Sequence, residues 1–322
     1  HFSTHGLMDV EKGHPMKRDA IFRMFSSTKT ILGVAAMMMI EEGRFQPSDP
    51  VSKYIPEFAD MKVAVLADPS DEDISPTAVN RQEPPEHRLV GAEVPITIHH
   101  LLTHTSGLMS GGLGSAVAGV RRTRFDPEAT LATVIPKYGK VPLDFQPGSR
   151  WSYSPGTGLD VVARIIEIVS ETPFDQFLQE RIFDPLQMTN SYFNVPESKH
   201  NMRVVVEGRT SLFAGRGPTK YFSASGGLSS AAEDYLHFEQ MLLNGGQLDG
   251  ERILGRKTLD LMHSNHIPAA LLPYQIAGPP ALGYGFGLGS RVLMNVAESQ
   301  LPGSVGEFGW GGAAKTYYWV DP

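Results

Sequence analysis

Cysteine is absent from the 322 residues. That excludes disulfides, thiolate metal ligands and a cysteine nucleophile, and it fits a cytosolic protein without excluding export. Long apolar runs are missing too: the longest, from Ile31 to Ile40, falls far below the ~20 residues that span a bilayer. Lysine and arginine form no run and the formal charge is −7, so nucleic acid is not an expected partner. No Gly-x-Ser-x-Gly elbow occurs, hence no sign of an α/β-hydrolase. Neither a Gly-x-x-x-x-Gly-Lys-Ser/Thr phosphate loop nor a His-Glu-x-x-His zinc motif is present. Repeats and low-complexity tracts are lacking. What remains is an ordinary globular composition, 41% hydrophobic and 20% charged, in a chain long enough for one large domain or two intimate subdomains. It opens on His1 rather than Met, so a removed leader or missing residues are expected. Localisation stays open, the cytoplasm being favoured over export.

The one Ser-x-x-Lys in the chain is Ser26-Ser27-Thr28-Lys29, at the head of a greasy segment. The spacing predicts a helix from about Ser26 to Glu42, closed by Gly43 and buried all round. Residues three apart on a helix share a face. A desolvated lysine gives up its proton more readily and can then take one from a neighbouring hydroxyl. The helix's positive end would favour a developing oxyanion. The same residues also read as a serine N-cap followed by an exposed lysine. Met37, Met38 and Met39 read as core filling.

Further along, Val63–Leu66 and Val94–Ile98 look like short strands flanking a surface excursion at about 67–93, rich in Asp, Glu and Pro. Helices are expected over Ile98–His104, Leu159–Ser170, Phe174–Phe183 and Ala231–Leu243. Period-two alternation in Tyr284–Gly289 and in parts of Phe308–Val320 predicts strands. The layout suggests a sheet region formed by 1–58 and 275–322, with a mainly helical region, 59–274, inserted into it.

Two other constellations could carry chemistry. Tyr153, in Trp151-Ser152-Tyr153-Ser154-Pro155-Gly156, lies at a loop-to-helix junction. A phenolate there would be stabilised by a lysine ammonium and could shuttle a proton; a packing tyrosine with a satisfied hydroxyl is the other reading. In Gly309-Trp310-Gly311-Gly312-Ala313, glycines would let a substrate lie against a strand edge and a following N–H could complete an oxyanion hole. A glycine bulge explains the run equally well. His100 and His104 have a spacing zinc can use, but no carboxylate lies between them, and a structural pair is expected. His263 and His266 are weaker. Neither metal nor cofactor is expected.

Taken together, the ordered pieces resemble the serine β-lactamase/penicillin-binding-protein superfamily, in particular the class C-like carboxylesterases known as family VIII. The pieces are Phe22 to Lys29, Asp49 to Pro56, Ile96 to Leu108, Phe145-Gln146-Pro147-Gly148 ahead of Tyr153, Phe183 to Thr189, Gly226 to Ser230, and Trp310-Gly311-Gly312. The resemblance implies an α/β (α+β) fold with an antiparallel sheet flanked by helices, an all-helical region, and a site between them. It implies that Ser26 is acylated, that Lys29 helps deprotonate it, that Tyr153 is general base and acid, and that the N–H groups of Ser26 and Ala313 form the oxyanion hole. Trp310-Gly311-Gly312 fills the slot where β-lactamases carry Lys-Thr-Gly. Pro155 stands where they carry the Asn of Tyr-x-Asn, and it suits a helix's first turn. An aromatic wall at Trp310 and a Pro155 without a side-chain hydrogen-bonding group both favour neutral esters over β-lactams. Relatives carry further elements at both ends, so a trimmed chain is expected, with catalysis belonging to the longer protein. The expected activity is a serine carboxylesterase acting on a small-molecule ester. A β-lactamase, an acyltransferase and a D-amino-acid peptidase are alternatives with the same chemistry, and a non-catalytic ligand-binding relative is one without it. Oligomeric state is not legible.

Overall fold

The most apolar stretch of the sequence becomes the centre of the molecule. The structure, a computed structural model, describes residues 1–68, 84–119, 126–206, 218–276 and 278–322. In it Thr28–Glu41 forms helix α1, buried at every position from Thr28 to Met39, as a helix without a polar face must be. Fully enclosed side chains such as Ile31, Leu32 and Met37 each contribute ~1.5–3 kcal/mol by leaving water. Gly43, at φ +69, ends the helix as expected. Gly33 lets the 287–289 segment press against it: a Cβ there would lie 2.5 Å from the Leu288 carbonyl oxygen.

The start of α1 differs from the expectation. Ser26 lies in a 3-10 turn, Phe25–Ser27, and α-helical bonding begins at Thr28. The cause is upstream. Ile21–Arg23 pairs antiparallel with Ser229–Ala231, and the Met24 N–H continues that ladder to the Leu228 carbonyl (2.9 Å), so the chain must turn sharply to enter the helix.

Helix α2 (Ile98–Leu102) stops two residues short of the expected His104, which takes a left-handed φ of +59. Helix α3 (Gly158–Ser170) packs against both α1 and α2. The segment read as one helix over Phe174–Phe183 is α-helical to Leu178 and then a π-type turn over Gln179–Phe183. Helix α4 spans Ala232–Leu243. The hairpin pairs Lys62–Leu66 with His87–Gly91, not with 94–98. Pro95 has no N–H for a ladder, and Thr97 caps α2. The centre of the excursion, 69–83, lies outside the described residues.

The C-terminal sheet is antiparallel, in the order Tyr317–Val320, Phe308–Gly311, Arg291–Leu293, Tyr284–Phe286. The Tyr284 strand ends at Phe286, earlier than its alternation suggested, because the Leu288 N–H turns to the Met262 carbonyl (2.9 Å). Helices mixed with small antiparallel sheets are the α/β class expected. No helix among the described residues is long and apolar enough to cross a membrane.

Candidate active site

Ser26 is held by the turn that precedes α1. Phe25 has φ +47, a conformation costing a non-glycine residue ~1–3 kcal/mol, of the kind that clusters at functional sites. The surroundings enforce it. Downstream of the ladder, the Leu228 N–H donates to Thr28 Oγ1 (3.3 Å) and the Tyr235 hydroxyl donates to the Ser27 carbonyl (2.9 Å).

On this frame the three residues singled out from the sequence meet. The Tyr153 hydroxyl donates to Ser26 Oγ at 2.7 Å, and Lys29 Nζ donates to the same oxygen at 3.3 Å. Lys29 is 0% exposed, which overturns the alternative of a surface lysine. Ser26 is not an N-cap either: that position belongs to Ser27, whose side chain makes no capping bond. The ammonium's other acceptors are the carbonyls of Pro155 (3.0 Å) and Ser225 (2.5 Å), and it lies 5.2 Å from the Tyr153 ring centre.

Tyr153 is clamped by His104. The His104 carbonyl accepts from Ser152 N–H (3.0 Å), and its Nδ1 accepts from Ser154 N–H (3.3 Å), so both neighbours of the tyrosine are tied to one residue. The His104 ring also packs edge-on against Tyr153, with centroids 4.7 Å apart. Burial, reinforced by the Lys29 charge, holds the imidazole far below its usual pKa. It is therefore neutral, with its proton on Nε2 by this bonding pattern.

Trp310 lies behind the tyrosine. It is 6% exposed and packs on Tyr153 and Phe286 at centroid distances of 5.6 and 5.2 Å. The aromatic wall thus backs the phenol. Beyond it, Gly311 ends a strand and Gly312 opens the turn that carries Ala313. The turn is pinned beside the serine: Thr316 Oγ1 donates to the Met24 carbonyl (3.1 Å) and lies 3.5 Å from Ser27 Oγ. Pro155 is in the bend before α3, not in its first turn as expected, since the helix begins at Gly158. Its contribution is the carbonyl that Lys29 engages.

The histidine pairs take separate partners. His100 Nδ1 accepts from Thr97 N–H within the α2 capping box, while His104 serves Tyr153. His263 Nδ1 bonds Ser290 Oγ (3.0 Å) and its ring stacks on Phe308; His266 Nε2 meets the Leu261 carbonyl (2.8 Å). Among the described residues no group of three His, Cys, Asp or Glu could hold a metal ion.

Sequence reasoning missed Asp160, a fully buried carboxylate close to Lys29. Burial raises its pKa, while bonds from Tyr221 and Ser225 and the Lys29 charge act the other way. A signal existed: it is the lone acid in the apolar run Leu159–Ala163, and buried charges need partners.

A family model described as Beta-lactamase matches residues 1–322. The chain belongs to that family, within a superfamily of serine hydrolases. It is 33% identical to Protein Rv1367c of Mycobacterium tuberculosis (strain ATCC 25618 / H37Rv), over 98% of this chain and 78% of that protein. It is 29% identical to Esterase EstB of Burkholderia gladioli, again over 98% and 78%. Among solved structures it is similar to EstCE1, described as a hydrolase with promiscuous acyltransferase activity, at 25% identity and TM-score 0.73, covering 98% of this chain and 81% of that one. The β-lactamase-like fold is thereby established.

Proposed function

We propose that the protein is a carboxylesterase working through a covalent acyl-enzyme on Ser26. The observation that carries this is the meeting of the Tyr153 hydroxyl and the Lys29 amine on Ser26 Oγ, from positions 127 and 3 residues away in sequence. Once Lys29 has released a proton to solvent, its two remaining hydrogens stay with the Pro155 and Ser225 carbonyls and its lone pair faces Ser26 Oγ. Ser26 Oγ attacks the ester carbonyl carbon as its proton passes to the Lys29–Tyr153 pair. The tetrahedral oxyanion is received by the N–H groups of Ser26 and Ala313. Collapse breaks the bond to the alcohol oxygen, which leaves with a proton from Tyr153. Water then attacks the acyl carbon, gives a proton to Tyr153, and the serine departs carrying one back. Trp310 backs the phenol, Gly311 and Gly312 let the substrate-facing strand end and turn pack closely on Tyr317, Thr316 and Met24, and Pro155 offers no side-chain amide to grip a lactam. EstB, named an esterase, supports ester chemistry, and EstCE1, described as a hydrolase, supports hydrolysis.

The test is turnover of p-nitrophenyl acetate and butyrate by the protein and by Ser26→Ala. Loss of turnover in the variant, with a phosphonate adduct mapping to Ser26, is expected; equal background rates from both proteins would overturn the reading. The description of EstCE1 favours a second outcome of the same intermediate, transfer to an alcohol. An added alcohol that diverts the acyl group in preference to water would reveal it.

A further inference from the structure

Lys29 must be aimed as well as present, and one of the carbonyls that aims it belongs to Ser225, in a loop without regular secondary structure. That loop is gathered onto a single carboxylate. Asp160, in the first turn of α3 and 0% exposed, accepts from Ser225 N–H at 2.8 Å. It also accepts from the Tyr221 hydroxyl at 2.8 Å and from Ser223 Oγ at 3.1 Å through both oxygens. The donors come from three alternate residues of the segment 221–225. The other face of the same main chain presents the Ser225 carbonyl to Lys29 Nζ at 2.5 Å. We propose that Asp160 is a positioning residue for Lys29, acting through the Ser225 main chain. This deepens the esterase reading and rests on it.

The chemistry explains why an acid stands there. A carboxylate is acceptor-only, and here three donor groups converge on it; an apolar or amide side chain would leave at least one of them facing nothing or facing another donor. α3 is anchored in the core against α1, so the carboxylate transmits the position of a rigid helix to a loop that has no ladder of its own. Lys29 is then held between two carbonyls, those of Pro155 just before α3 and of Ser225 tied to α3, and its remaining direction points at Ser26.

The experiment compares Asp160→Asn, Asp234→Asn and Ser26→Ala in the whole chain, with p-nitrophenyl butyrate as substrate and Tm as the measure of fold. Asp234 is a second buried acid with donors of the same kind, the Asn190 N–H and the Ser191 hydroxyl, but it serves no residue of the site. Asp160→Asn should lower kcat by about tenfold or more with KM within about threefold, because misaiming a catalytic group falls on the chemical step. Asp234→Asn should lower Tm and leave kcat nearly unchanged. Wild-type kcat in Asp160→Asn, a loss confined to KM, or an equal kcat loss in both variants at equal Tm would overturn the proposal. Should Asp160→Asn fail to fold, Asp160→Glu serves: it keeps the charge but displaces it by one methylene, so a soluble variant should show the same kcat loss, and wild-type kcat would refute positioning. An active Ser26→Ala would sink the esterase reading itself, whereas an inactive one beside an unimpaired Asp160→Asn would sink the positioning role alone.

Discussion

Gly312→Ala puts the oxyanion assignment of Ala313 under direct stress. A Cβ on Gly312 would lie 2.2 Å from Thr316 Oγ1 and 2.3 Å from the Met24 carbonyl oxygen. Thr316 has a second rotamer, but Met24 does not move freely: its N–H is the last rung joining the ladder to Leu228, and its carbonyl begins the turn into Ser26. Relief of a contact that short to the usual 3.4 Å or so therefore falls on the 312–316 turn, which must retreat by ~1 Å, at a cost of ~1–3 kcal/mol in overpacking. Ala313 N–H retreats with it, and a misplacement of ~1 Å at a reacting group is worth about 10²-fold in rate. Removal of a single oxyanion donor costs ~10²–10³ in kcat, so the two estimates agree. The assay is kcat and KM for p-nitrophenyl butyrate beside Tm, with Gly91→Ala as the companion, since a Cβ at Gly91 meets nothing within 4 Å and a surface change of that kind stays within ~0.5 kcal/mol. A Gly312→Ala enzyme with wild-type kcat would remove Ala313 from the mechanism and send the search for the second oxyanion donor elsewhere.

Tyr153→Phe should leave Tm nearly unaltered, since the ring contacts to His104 and Trp310 survive, yet lower kcat by ~10²–10⁴ for loss of a general acid and base; a variant within threefold of the parent would refute its role. Glu239 makes a prediction about stability. Burial alone pushes its carboxyl up from 4.5 to about 7. Below pH 4.5 it is protonated folded or unfolded and has no effect. Between pH 4.5 and about 7 the unfolded state ionises while the folded state stays protonated, so stability falls across that window, by at most ~3 kcal/mol, and is level above it. Glu239→Gln should therefore raise Tm at pH 8 by several degrees, ~2–4 °C per kcal/mol, and not at pH 4; a gain that is equal at both pH values would contradict it.

The catalytic candidates were legible to different depths for physical reasons. Ser26 and Lys29 are local, one turn apart, and the apolar run after them announces burial. Tyr153 stood out as a tyrosine at a loop-to-helix junction, and the order of motifs tied it to Ser26, because nothing in Trp151–Gly156 says that the phenol reaches back across the chain. The hairpin register was misread because 94–98 has strand-like residues whose backbone is already committed to capping and entering α2. Trp310 was read as an aromatic wall of the site from its polarity alone; its packing on Tyr153 is a contact that sequence does not report. Asp160 was passed over inside a helix judged by its apolar spacing, although a lone acid in such a stripe always demands donors from elsewhere in the fold.

The stretch 96–108, one of the pieces that carry the resemblance, holds none of the proposed reacting groups, and the clamp on Tyr153 gives a reason for its form. A neutral imidazole is needed at His104, because its Nδ1 must accept from Ser154 while its carbonyl accepts from Ser152. Burial beside the Lys29 charge secures that neutrality. The left-handed turn at His104 ends α2 early and points carbonyl and ring at the same segment, 152–154, which a residue continuing the helix could not do. The site is thus fixed by main-chain bonds from three places: the 21–24 ladder for Ser26, the His104 clamp for Tyr153, and the Ser225 loop for Lys29. Two of these supports are joined: the Ser225 loop runs through Gly227, whose carbonyl accepts from Arg23 Nη1 (3.3 Å), into the Leu228 rung of the ladder, so a defect there should disturb Ser26 and Lys29 together, whereas a defect in the His104 clamp should fall first on Tyr153.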